Sequence, residues 1–143
     1  MTLPMQVKRL RSSALLPTYA TAGAAGLDLR ACIEVSLDLE PGSINLVPSG
    51  IAVAVPEGYV GLVRDRSGMA KRGVLTLAGV IDSDYRGEIL VAVHNAAASA
   101  IRIEPGDRVA QMLVIPCPHV EVEEVQDLPE SERGAGGFGS TGR

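Results

Sequence analysis

The chain has no tryptophan, one phenylalanine and three tyrosines. Its core must therefore be aliphatic, and with 46% hydrophobic residues there is material for one. Two cysteines, Cys32 and Cys117, are too few for a disulfide framework and read as reduced thiols of a cytoplasmic protein. No apolar run approaches the roughly 20 residues of a membrane helix. Lys8, Arg9 and Arg11 near the start are followed by no long apolar region, so no signal peptide is expected. Positive charge is in deficit, with 13 Lys and Arg against 17 Asp and Glu and a net charge of −4. That balance argues against a broad grip on nucleic acid or on an anionic membrane, while leaving room for a local polyanion pocket. Long helical periodicity is also missing.

What is present is punctuation. Sixteen glycines and nine prolines divide 143 residues, a length typical of one domain, into short apolar stretches. Val35, Leu37 and Leu39 alternate with Glu34, Ser36, Asp38 and Glu40, the pattern of a half-buried strand, and Val120-Glu-Val-Glu123 repeats it. Residues 44–47, 51–55, 59–63, 89–94 and 109–115 are further β-rich runs of strand length. Strands at this spacing predict an all-β sandwich, jelly roll or barrel. One short helix is expected around residues 66–72, with Ser67 as N-cap and Gly73 as stop. Residues 1–128 form the expected β domain, and residues 129–143 a flexible glycine-rich arm.

Five segments could carry chemistry. The arm reads Arg133-Gly-Ala-Gly-Gly-Phe-Gly-Ser-Thr-Gly-Arg143. Its Gly134–Gly139 spacing formally matches G-x-G-x-x-G, but the helix that a dinucleotide fingerprint requires cannot follow in four residues. A phosphate-loop reading lacks its lysine. Glycines nevertheless free backbone N–H groups to wrap phosphate oxygens, Ser140 and Thr141 add hydroxyls, and Arg133 and Arg143 add charged donors. Phe138, the one Phe, sits in this arm and not in a strand, a placement suited to stacking on a base. In Gly79-Val-Ile-Asp-Ser-Asp-Tyr-Arg-Gly87, Asp82 and Asp84 follow an apolar run, where carboxylates serve as a base, a metal ligand or a plain turn. Arg66 and Ser67 at the expected helix start suit an anion. Asp28 lies in the strand-like run Ala25-Gly-Leu-Asp-Leu-Arg-Ala31, where a carboxylate needs an Arg partner or a structural role. Gln111 interrupts an apolar strand. Cys32, His94, Cys117 and His119 lack the paired spacing of a zinc site, and two histidines support no Ser-His-Asp triad.

AGLDLRA, RSGMA, GVIDSDYRG, GDRVAQML and RGAGGFGSTGR, in that order, resemble the five motifs of the homotrimeric dUTP pyrophosphatases, or dUTPases, from Ala25 to Arg143. The resemblance implies a jelly-roll-like subunit in a trimer, with active sites at subunit interfaces and each arm closing over a neighbour's site. It implies dUTP + water → dUMP + pyrophosphate, with Asp82 as general base, keeping uracil out of DNA and supplying dUMP for dTMP synthesis. Arg66, Ser67, Gly68 and Gln111 would contact phosphates, and Asp28 would support the water shell of a Mg²⁺ that has no direct protein ligand. Tyr85 would pack under deoxyribose. Phe138 would stack on uracil, while Arg133, Ser140 and Thr141 hold the outer phosphates. A β-hairpin over residues 75–80 would read uracil largely through backbone groups, with Thr76, where many members have Asn, and with Gly79, Val80 and Ile81. Two alternatives stand beside this reading. A dCTP deaminase on the same fold needs a catalytic Glu that residues 76–81 lack. A nucleotide-binding regulator would usually carry an insertion or an altered motif, and neither is evident.

Overall fold

The structure is a computed structural model that describes residues 2–142. Its strands are β1 (Gln6–Arg9), β2 (Thr18–Tyr19), β3 (Leu27–Arg30), β4 (Leu37–Leu39), β5 (Ile44–Ala54), β6 (Tyr59–Arg64), β7 (Val74–Leu77), β8 (Val80–Ile81), β9 (Glu88–Asn95), β10 (Ile101–Ile103) and β11 (Arg108–Pro116). One helix, α1 (Ser67–Lys71), follows β6. The strands form a four-stranded sheet β1-β5-β9-β7, a five-stranded sheet β2-β3-β11-β6-β8 and the pair β10-β4. Every pairing is antiparallel. This is the expected all-β, jelly-roll-like sandwich; among the described residues no sheet closes on itself. Among the described residues no helix is long and apolar enough to cross a membrane.

The two large sheets share one core. Val47, Ile51, Val91, Val93 and Val74 enter it from one side and Leu29, Val63, Val109 and Met112 from the other, with Leu39 and Ile103 closing an end. No aromatic ring is among the fully buried residues, as the composition demands. Each buried Val, Leu or Ile contributes about 2 kcal/mol relative to exposure.

Several local expectations change. The runs at 44–47 and 51–55 are one bent strand, β5, whose register shifts between Pro48 and Ala52. Proline cannot complete a ladder, so a bulge is where it is tolerated. The strand expected from Glu34 to Glu40 is confined to Leu37–Leu39, and Val35 is 76% exposed. Its partner β10 is only three residues long, so the ladder has nothing to continue against. Val120-Glu-Val-Glu123 forms no strand, for want of any partner in this chain. At α1 the N-cap is Arg66, in extended conformation and without a side-chain cap, so Ser67 is the first helical residue and not the cap. Gly73, at φ +97°, ends the helix as expected.

A buried amide that the pattern did not reveal joins the end of β9 to two neighbouring segments. Asn95 is fully buried; its Nδ2 donates to the Leu39 carbonyl at 2.7 Å and the Ser99 carbonyl at 2.9 Å, and its Oδ1 accepts from Ala97 N–H at 2.9 Å. Asn95→Ala would strand all three groups, so urea denaturation should show a loss of about 3 kcal/mol.

Candidate active site

The site is built along three strands of the five-stranded sheet. Gln111 of β11 stands opposite Asp28 of β3 on one side and opposite Arg64 of β6 on the other. Residues far apart in the chain are thus set in one row by register alone. Asp28 is only 7% exposed, and an isolated buried carboxylate would be costly. Two arginines offset that cost. Arg66 Nε donates to its Oδ1 at 2.9 Å, and Arg108 Nη1 to its Oδ2 at 3.3 Å. Both guanidiniums are drawn to one end of the sheet, where Arg66, Gly68, Met69, Arg72, Asp107 and Arg108 line a cavity of about 280 Å³. Gly68 of that lining and Ser67 beside it in the chain are exposed, in the first turn of α1, where backbone N–H groups have no intrahelical partner.

Gln111 extends the row toward the start of the helix. Its Nε2 donates to the Asp65 carbonyl at 2.8 Å. The side chain lies so close to Gly26 that a Cβ there would collide with its amide, which explains the glycine just before Leu27.

The expected hairpin over residues 75–80 is present as a connection but not as a paired ladder. β7 pairs only with β9, and β8 only with β6, among the described residues. The chain crosses from one sheet to the other through Ala78 (φ 57°) and Gly79 (φ +98°). Gly79 sits against the Val63 carbonyl, where a side chain has no room, and its own carbonyl accepts from Val63 N–H at 2.8 Å. The outer edges of β7 and β8 are each the end of a sheet, so both leave backbone groups without a ladder partner. Thr76 departs from a simple base-reading role: its N–H, at 2.6 Å, and its hydroxyl both donate to Asp65 Oδ1. Sequence reasoning missed Asp65 and Ala78. The signal for Asp65 was a carboxylate set between two arginines, immediately ahead of the helix.

β6 also delivers Asp82. Gly61 and Leu62 hold Ile81 and Val80, and the next residue, Asp82, is exposed beyond the end of β8. A turn then closes with Tyr85 N–H donating to the Asp82 carbonyl at 3.1 Å. The Tyr85 hydroxyl donates to the Glu88 carbonyl at 2.9 Å and lies where a Cβ of residue 87 would be, so Gly87 admits the ring. Glu88 is anchored in turn. Arg11 donates to its two oxygens at 2.6 and 3.0 Å, and Gly50 N–H to its Oε1 at 2.8 Å.

The arm is not brought to this site. Its hydrogen bonds are local turns, such as Gly136 N–H to the Arg133 carbonyl at 3.1 Å and Ser140 N–H to the Gly137 carbonyl at 3.1 Å. Arg133, Ser140 and Thr141 line a cavity of their own, about 630 Å³, with Glu132 and Gly136. Phe138 is fully exposed. Arg143 lies outside the described residues.

The anchor beneath Tyr85 has a pH signature. The Arg11 hydrogen bond, helped by Gly50 N–H and opposed by burial, holds the Glu88 carboxyl below its ordinary value of 4.5. A carboxyl with a lowered folded pKa contributes stability above its unfolded pKa and loses it as pH falls through the folded one. The stability gap between wild type and Glu88→Gln should therefore be full at pH 7 and shrink as pH drops below 4.5, measured as urea midpoints.

Comparison with known proteins gives one answer at every level. The dUTPase family model matches residues 12–142. The deoxyuridine 5'-triphosphate nucleotidohydrolase of Ralstonia pickettii is 46% identical over 147 aligned positions, covering 100% of this chain and 99% of that one. The same enzyme of Bordetella avium is 45% identical, covering 99% and 98%. Among solved structures, the Staphylococcus bacteriophage 80alpha dUTPase with dUPNHPP superposes at a TM-score of 0.91 with 29% identity, covering 99% of this chain and 100% of that one. The chain belongs to the dUTPase family, whose members are enzymes that hydrolyse dUTP.

Proposed function

We propose that this chain cleaves dUTP to dUMP and pyrophosphate by water attack on the α-phosphorus, with Asp82 as the general base. The observation that carries the reading is the double use of β6. One part of this strand holds β8 and so presents Asp82, while its C-terminal end leads directly to Arg66 and the cationic cavity. The antiparallel register sets Asp82 level with Val60, six residues or about 20 Å from Arg66 at the other end of the strand, so the base of one subunit would act on a triphosphate held in the cationic cavity of a neighbour. Arg66, the N–H groups of Ser67 and Gly68, and the second amide N–H of Gln111 would take phosphate oxygens. Tyr85, seated over Gly87, would lie under deoxyribose. The unpaired edges around Thr76, Gly79, Val80 and Ile81 would take the uracil edge.

The family implies Mg²⁺, and the donors present fit an ion that arrives with the triphosphate. Asp28, the buried carboxylate beside the cavity, is already spanned by Arg66 and Arg108, so it would support the ion's water shell without binding it directly. Bound there, Mg²⁺ would neutralise phosphate charge. Asp82 would hold the water and accept its proton. The arginines would orient the chain of phosphates.

The arm would complete the site on a neighbouring subunit of a homotrimer, bringing Arg133, Ser140 and Thr141 to the outer phosphates and Phe138 to the uracil face. Two features support an assembly. The arm makes no hydrogen bond to the β domain of its own chain among the described residues. The outer face of the four-stranded sheet carries exposed Ile44, Leu46, Leu75, Leu77 and Leu90, a contiguous apolar surface by register. Removal of dUTP would keep uracil out of DNA, and dUMP would feed dTMP synthesis.

With Mg²⁺, the purified protein should release dUMP and pyrophosphate from dUTP, and ammonia release from dCTP would overturn the reading. Asp82→Asn should lower kcat by at least about a thousandfold with nucleotide binding retained. Truncation after Glu132 should abolish most activity without lowering Tm. Co-refolding these two inactive chains should restore turnover, because a mixed trimer contains sites with an intact Asp82 from one chain and an intact arm from the other. No recovery would mean that the arm serves its own subunit.

A further inference from the structure

Asp65 stands just past β6, where it meets both β7 and β11, and the proposed chemistry does not use it. Its carboxylate is flanked in sequence by Arg64 and Arg66, yet the hydrogen bonds it accepts come from Thr76, through both the N–H and the hydroxyl. Its carbonyl accepts from Gln111 Nε2 at 2.8 Å. Thr76 belongs to β7, the end strand of the four-stranded sheet, and β7 makes no ladder with β8. The Asp65 carboxylate therefore fills the place that a neighbouring strand would take. It satisfies an edge donor and holds β7 at a set distance from the end of β6, while the main-chain carbonyl of the same residue accepts from Gln111, in the row with Asp28.

We propose that Asp65 is a positioning residue that sets the width of the base slot between β7 and β8, so that it governs selection of uracil over larger pyrimidines. The inference rests on the dUTP-cleaving reading above. Without the latch, Thr76 N–H and its hydroxyl are released, and β7 loses its hydrogen-bonded hold on the end of β6. A slot free to widen admits a 5-methyl group, and a newly free donor changes which base edge is matched.

The test compares Asp65→Ala, Asp65→Asn and Thr76→Val for hydrolysis of dUTP and dTTP, with the Thr76 amide followed by hydrogen exchange in NMR. Asp65→Asn keeps the Oδ1 acceptor and should retain both selectivity and Thr76 protection. Asp65→Ala should raise KM for dUTP more than it lowers kcat, cut the dUTP/dTTP ratio of kcat/KM by about tenfold or more, and expose the Thr76 amide to exchange. Thr76→Val, which removes only the hydroxyl, should fall between them and carries the test should Asp65→Ala fail to fold. An equal loss on both nucleotides, with the ratio unchanged, would overturn the specificity role. A Thr76 amide still protected in Asp65→Ala would overturn the latch itself. Absence of dUTP hydrolysis by the wild type would instead sink the functional reading, while the exchange result would still report on the latch.

Discussion

A carboxylate placed inside a β-sheet must find positive charge, and in this molecule that requirement organises the site. Asp28 is buried in β3 and is reached by Arg66 and Arg108. Removing Arg66, the nearer and less exposed partner, would leave the buried carboxylate with only the longer Arg108 contact, at a cost of up to about 3 kcal/mol. The same demand draws two arginines of a net-acidic chain to one cavity. Charge that folding needs for neutrality is thereby concentrated at the cavity where the proposed function places the phosphates.

The second organising element is β6. It lies between β11 and β8, so its register with each determines where Gln111 and Asp82 stand. Toward β11 it stands beside Gln111; toward β8 it delivers Asp82. The chain then divides, β7 joining one sheet and β8 the other. This division leaves backbone groups unpaired at the point where the resemblance places the base. Unpaired edges usually invite aggregation, and here one is partly capped by a carboxylate.

The monomer is also unfinished in ways that share one physical character. Val120 and Val122 are 81% and 90% exposed in a segment whose alternation suits a strand. Phe138 has no apolar contact surface, and the outer face of one sheet is aliphatic. Each is apolar surface left to water, and each lies outside the single core that the two sheets share.

Composition and periodicity determined the all-β class, the aliphatic core, the single short helix and the glycine stop at Gly73, because these depend on local steric preference and on the period of burial. Motif spacing marked Asp28, Arg66, Asp82, Gln111 and the arm as the residues to watch. Partnership was decided only in three dimensions. Alternation in residues 34–40 and 120–123 specifies a face but not a neighbour, so one strand came out short and the other did not form. Register, which no linear pattern displays, set Asp28 opposite Gln111. The division of β7 from β8, the cap of α1 at Arg66 and the bond from Thr76 to Asp65 likewise depend on where the sheets stop. A strand edge exists only once the rest of the sheet has formed.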